Sequence, residues 1–127
     1  MRKPRYRLLS AASVLVLIGA ASQIAPAQEI GAAPSEEELV EQGRQLAFDR
    51  KKGNCLACHM IAGGALPGNI GPPLVAMKAR FPDKAKLRAQ IADATANNPN
   101  TIMPPFEKHG ILSKDEVDKV TEFIYSL

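Results

Sequence analysis

Apolar positions recur at helical spacing in three stretches of the chain. The first follows Ser35, where Leu39, Val40, Gly43, Leu46 and Ala47 share one side of a helix predicted over 36–48. Ser35 with Glu38 gives a capping-box pattern, and Glu36, Glu37 and Glu38 sit at the end where the helix dipole favours negative charge. Gly43 in mid-helix costs about 1 kcal/mol relative to alanine, which a close crossing with another helix would justify. The second stretch carries Leu87, Ile91 and Ala94 and predicts a helix over 83–96, stopped by Asn97-Asn98-Pro99-Asn100. The third is the clearest. Ser113 and Glu116 form another capping box, followed by Val117, Val120, Ile124 and Leu127. The first and last helices are expected to cross at Gly43, against Phe123 or Tyr125.

Between these stretches the pattern forbids regular structure. Gly63 to Pro73 reads GGALPGNIGPP, which can be neither helix nor central strand, and Met103-Pro104-Pro105-Phe106 is a second such stretch. No segment alternates convincingly as a strand, and there is no internal repeat. The expectation is an all-α domain of three or four short helices joined by Pro/Gly-rich loops. Ten Pro, nine Gly, four Phe, two Tyr and no Trp leave a modest core for so small a chain. A large buried cofactor would supply the missing apolar contacts.

The start of the chain reads as a secretory signal. Arg2, Lys3, Arg5 and Arg7 precede an apolar run from Leu8 to Ala21, and Ala25-Pro26-Ala27 offers small residues for cleavage. The run is short for a spanning helix, which needs about 20 apolar residues, so a retained anchor is the lesser reading. Residues 1–27 are expected to be removed on export to the periplasm, with 28–34 a flexible leader and 35–127 the folded domain. Four of the 16 Lys and Arg residues fall in the signal, leaving 12 against 13 Asp and Glu and a net charge of −1. The basic isoelectric point near 9.0 is thus an export feature. It gives no reason to expect nucleic-acid binding, and nothing after the signal predicts membrane insertion.

Chemistry enters with Cys55-Leu56-Ala57-Cys58-His59. Two cysteines in an exported chain could pair, and CxxC alone could be a redox couple or half a zinc site. His59 directly after the pair, no further cysteine, and no surrounding βαβ pattern argue against these. CxxCH is the attachment pattern of c-type haem: both sulfurs reach the two vinyl groups, and the histidine falls beneath the ring to bind iron. The opposite iron face has several candidates. Met60 is adjacent to His59 and on the wrong side. Met77 lies in a helix-prone stretch where methionine more often fills core. Met103, 44 residues after His59, precedes two prolines that hold its backbone extended. Met103 is the first candidate, with His109, Met77 or an open site as alternatives. Pro72, in a Gly-Pro turn, could present a backbone carbonyl to His59 Nδ1–H, with Leu74 packed on the ring, unless the segment is an ordinary Pro-rich turn.

GNCLACH (Gly53–His59), PGNIGPPL (Pro67–Leu74) and MPPF (Met103–Phe106), in this order and spacing, resemble the SoxX family. Its members are the small cytochrome subunit of the SoxAX complex of bacterial thiosulfate oxidation. The likeness extends through the C-terminal HGILSKDEVDKVTEFIYSL; one departure is Glu107, where the family pattern has glycine. The resemblance implies a class I cytochrome c fold around one covalent haem c, with His59 and Met103 as the axial pair. It implies a heterodimer with a larger haem subunit, SoxA, which couples thiosulfate oxidatively to a cysteine of a carrier protein. Electrons would pass from the SoxA haem through this chain to a soluble cytochrome c. Any enzyme activity, an L-cysteine S-thiosulfotransferase, would belong to the complex, since the chain offers no catalytic base or free thiol of its own. An independent periplasmic electron carrier is the alternative function, and an open-haem enzyme would require Met103 not to bind iron. Lys78, Arg80, Lys84, Lys86 and Arg88 form a basic stretch, read as a solvated face or as a docking patch for an acidic partner.

Overall fold

Ser35 and Glu38 start the first helix, α1 (Glu36–Phe48), by reciprocal capping: the Glu38 amide donates to Ser35 Oγ at 3.2 Å and the Ser35 amide to Glu38 Oε2 at 2.7 Å. The computed structural model describes residues 33–127, so the expected signal (1–27) and positions 28–32 of the leader lie outside the described residues. After α1 come a 3₁₀ turn at Cys55–Ala57, α2 (Met77–Arg80), α3 (Lys84–Ala92), a second 3₁₀ turn at Ala94–Ala96, and α4 (Lys114–Ser126). No strand occurs among the described residues. The second capping box forms at the start of α4, where Glu116 and Ser113 exchange bonds of 2.8 and 3.2 Å.

α1 and α4 cross at Gly43, as the sequence pattern predicts. A Cβ built there would lie 1.9 Å from the Lys119 carbonyl oxygen and 2.9 Å from Phe123 Cβ. The missing side chain therefore lets two backbones touch. Phe48 meets Phe123 edge to face, 5.7 Å between centroids. α4 buries Val117, Val120, Phe123 and Ile124, and the one buried hydroxyl, Thr121 Oγ1, donates to the Val117 carbonyl at 2.7 Å.

Two expectations change. The helix predicted over 83–96 stops at Ala92, because Asp93 leaves helical geometry (φ −150, ψ 88) and its carboxylate accepts from the Thr95 amide at 3.0 Å, capping a new 3₁₀ turn. The buried face was still legible, since Leu87, Ile91 and Ala94 are all buried. α2 was not predicted as a helix, although Met77 was placed in a helix-prone stretch; it begins after Ala76 in the left-handed region at φ 50. The basic stretch is largely satisfied within the chain. Lys84 pairs with Glu122 at 2.7 Å, Arg88 bridges Asp118 and Glu107, and Lys78 and Lys84 lie over the Tyr125 ring at 5.6 and 5.5 Å. Glu107 thus has a partner of its own, 3.2 Å from Arg88.

The Gly43 contact yields a stability prediction. Gly43→Ala should gain about 1 kcal/mol of helix propensity yet lose more to overpacking, commonly about 1–3 kcal/mol and here against rigid backbone. A net destabilisation of up to about 2 kcal/mol is expected, read from the denaturant midpoint of the loaded protein. An unchanged or raised midpoint would contradict the crossing.

Candidate haem site

The cysteine segment is a tight turn laid against the end of α1. The Gly53 amide donates to the Leu46 carbonyl at 3.1 Å and the Asn54 amide to Asp49 at 3.0 Å, with Asn54 in the left-handed region at φ 46. From there the backbone closes on itself: Ala57 N–H donates to Asn54 at 3.0 Å, and His59 N–H to Cys55 at 2.9 Å. One turn of chain therefore sets both sulfurs and the imidazole. Cys55 and Cys58 are not joined in a disulfide. Burial pushes the Cys55 thiol up to about 11. That is the opposite of the lowered pKa of a reactive CxxC pair, and it disfavours a redox-couple reading.

The Pro/Gly loop is stitched to that turn by three backbone bonds: Gly68 N–H to Leu56 at 2.7 Å, Gly71 N–H to Cys58 at 2.8 Å, and Leu74 N–H to Met60 at 2.9 Å. The stitching brings the Pro72 carbonyl to 2.7 Å from His59 Nδ1. A carbonyl only accepts, so Nδ1 carries the proton and Nε2 keeps its lone pair free for a metal. Gly71 was missed as a site residue by sequence reasoning. A Cβ there would fall 2.4–2.9 Å from three atoms of the His59 ring, so the glycine of the Gly-Pro pair makes room for the imidazole.

These segments form one wall of a cavity of about 580 Å³. Residues of α2, α3 and the loop 101–106 line the same cavity, with Val120 and Ile124 of α4. Cys55, Cys58, His59, Pro72, Leu74 and Met103, the six residues singled out in the sequence, all line this cavity. Of the rival sulfur and imidazole groups, Met60 is 53% exposed and His109 is exposed, and neither faces the cavity. Met77 does line it, but it is 1% exposed in the core and its sulfur accepts from Arg80 Nη1 at 3.4 Å.

The cavity suits a haem. Its walls are mainly apolar, with Leu87, Ile91, Phe106 and Leu112 among them, which matches the two faces of a porphyrin. Its charged residues are Arg50, Lys51, Lys52 and Arg80, with no Asp or Glu in the lining. Haem carries two propionates, so an acid-free, cationic rim complements it. Among the described residues no three His, Cys, Asp or Glu gather to hold a bare metal ion.

Residues 38–124 match the family described as cytochrome c oxidase, cbb3-type, subunit III. The chain belongs to this cytochrome c family. No curated protein sequence matches it. Among solved structures it is similar to the crystal structure of SoxXA from P. pantotrophus, with 28% identity and a TM-score of 0.61, over 68% of this chain and 79% of that one. Together these make the chain a SoxX-like monohaem cytochrome with a class I cytochrome c fold, its Cys55 and Cys58 standing in the CxxCH pattern of covalent haem c. No helix among the described residues of this SoxX-like cytochrome is long and apolar enough to cross a membrane.

The Gly71–His59 contact separates two neighbouring substitutions. Pro72→Ala keeps the carbonyl that receives the imidazole proton, so the thermal midpoint of the loaded protein should fall by no more than a few degrees. Gly71→Ala forces the ring or the loop to move and should cost about 1–3 kcal/mol, roughly 4–8 °C per kcal/mol for a domain of this size. Equal melting points for the two variants would contradict the packing described.

Proposed function

We propose that this SoxX-like cytochrome is the electron-relay subunit of a periplasmic SoxAX-type complex. Cys55 and Cys58 would hold its haem covalently, and His59 and Met103 would bind the iron. The observation that carries the reading is the convergence of the CxxCH turn, the Pro72 carbonyl and the Met103 loop on one apolar, acid-free cavity in a chain similar to SoxXA.

Bound haem supplies a one-electron ferric/ferrous couple. The rest is the work of the polypeptide. The two cysteine sulfurs would hold the ring through thioether bonds. The Pro72 carbonyl fixes the tautomer and rotation of His59. Met103 offers a neutral thioether from a loop stiffened by Pro104 and Pro105, a ligand that favours ferrous iron more than a second imidazole would. With His59 and Met103 both binding the iron, substrates would be kept from it and the site would exchange electrons only.

In the complex, coupling a thiosulfate sulfur to a carrier-protein cysteine thiol releases two electrons and one proton. The chemistry occurs on the SoxA-like partner, and this chain carries those electrons singly to a soluble cytochrome c. Removal of residues 1–27 places it in the periplasm.

Three results are expected. Denatured loaded protein should retain its haem, and neither cysteine should react with an alkylating reagent; two alkylated thiols would exclude covalent attachment. Met103→Ala should abolish the far-red charge-transfer band of a thioether–iron bond, admit cyanide or imidazole to the iron, and lower the potential. Met77→Leu and His109→Gln should leave the band in place, and a band lost in either of them would move the axial assignment. Co-expressed with a SoxA-type subunit, the processed chain should co-purify as a stable heterodimer. Monomeric recovery from that experiment, with rapid electron exchange to other carriers, would favour an independent cytochrome.

A further inference from the structure

α3 carries one uncharged polar side chain, Gln90, whose two amide ends face different partners. Its Nε2 lies 4.0 Å from Met103 Sδ, within hydrogen-bonding range for sulfur. Its Oε1 accepts from Asn97 Nδ2 at 3.1 Å. Asn97 follows the 3₁₀ turn Ala94–Ala96, which exists because Asp93 breaks α3. Had the helix continued, Asn97 would lie seven residues along it, roughly 10 Å from Gln90 along the axis. The break at Asp93 folds the chain back and brings the two amides together.

The sulfur also decides which way the chain of amides points. A thioether only accepts, and weakly, so the group turned toward it must be the NH₂ of Gln90. The Gln90 carbonyl then faces away, toward Asn97, and requires the Asn97 NH₂ opposite it. Reversing both amides would still join Asn97 to Gln90 but would set a carbonyl oxygen against the sulfur lone pairs. Met103 is held from its backbone as well, since its amide donates to Thr101 Oγ1 at 3.1 Å.

We propose that Asn97 and Gln90 form an amide relay that donates a hydrogen bond to the Met103 thioether and so sets its strength as an iron ligand. This rests on the reading that Met103 binds the iron. A thioether sulfur has two lone pairs, one for iron and one for Gln90. The hydrogen bond draws electron density from the sulfur. Ferric iron depends on ligand donation more than ferrous iron does, so weaker donation favours the ferrous state and raises the potential. The relay also limits rotation of a side chain with three free torsions, keeping one lone pair on the iron side. A neutral amide achieves this without adding charge to the cavity wall. Gln90 and Asn97 are positioning residues that act through Met103.

Spectropotentiometric titration of the haem-loaded protein tests the relay. Gln90→Leu keeps the bulk of the side chain and removes the donor. The far-red thioether band should persist but change position, and the ferrous-to-ferric ratio at a fixed applied potential should fall several-fold. A tenfold fall corresponds to about 59 mV for one electron. Asn97→Ala leaves the donor but frees its orientation, so the shift should have the same direction and be smaller. In the double variant Asn97→Ala should add nothing to Gln90→Leu, because the second amide acts only through the first. A Gln90→Leu protein with the band and potential of the wild type overturns the relay, even if its melting point drops, since packing alone would then explain Gln90. Full additivity in the double variant overturns it too. If Gln90→Leu does not fold, Asn97→Ala carries the same test: a potential equal to that of the wild type overturns the relay. A wild-type protein with no thioether band overturns both the relay and the ligand reading, and so is distinct from a failure of the relay alone.

Discussion

The 2.7 Å hydrogen bond between His59 Nδ1 and the Pro72 carbonyl joins two segments that have no helix to order them. On one side is the turn that carries both cysteines; on the other is a loop of glycines and prolines that makes almost no regular structure. Three backbone bonds and the space left by Gly71 hold the segments in register. That register occupies Nδ1 of His59 and leaves its Nε2 lone pair free, in a ring that lines the cavity. α4 adds Val120 and Ile124 to the lining, and α3 and the loop 101–106 complete it. The α1–α4 clasp at Gly43 fixes the frame within which these walls can approach without closing the space between them.

Much of this was legible in the residues, for identifiable reasons. Capping boxes are local and chemically explicit, so both ends marked by Ser35/Glu38 and Ser113/Glu116 fall where the pattern puts them. A glycine at mid-helix on an apolar face has few uses, and crossing is one of them. The CxxCH turn and the Pro-flanked methionine stand out because their residue types are rare in such combinations. What could not be read was geometry that depends on distant contacts. Asp93 sits among residues that fit a helix, yet its carboxylate serves the Thr95 amide better than a continued helix would. Gly71 looks like one more loop glycine until the His59 ring lies beside it. The pairing of Gln90 with Asn97 carries no periodic signal at all, because it depends on that same break.

Charge is distributed in two distinct ways. The basic stretch from Lys78 to Arg88 is tied mostly to acids and to Tyr125 on the chain's own surface, and exposed pairs of this kind contribute little stability, about 0–1 kcal/mol each. They hold α3 against α4 and, through Glu107, reach the segment that follows Phe106. Around the cavity the pattern differs: Arg50, Lys51 and Arg80 line it with no acid beside them in the lining. A cavity rimmed in this manner is suited to a dianionic ring, and the polypeptide alone leaves those cations without carboxylate partners there.

In the proposed haem site the iron would sit between the imidazole of His59 and the thioether of Met103. Iron-edge X-ray absorption on the purified ferric protein measures this directly, because sulfur and nitrogen scatter distinguishably in the first coordination shell. A six-coordinate iron with one sulfur and five nitrogens is expected, the sulfur disappearing in Met103→Ala. A shell of nitrogen alone, or one in which oxygen takes the sixth place in the wild type, would contradict it.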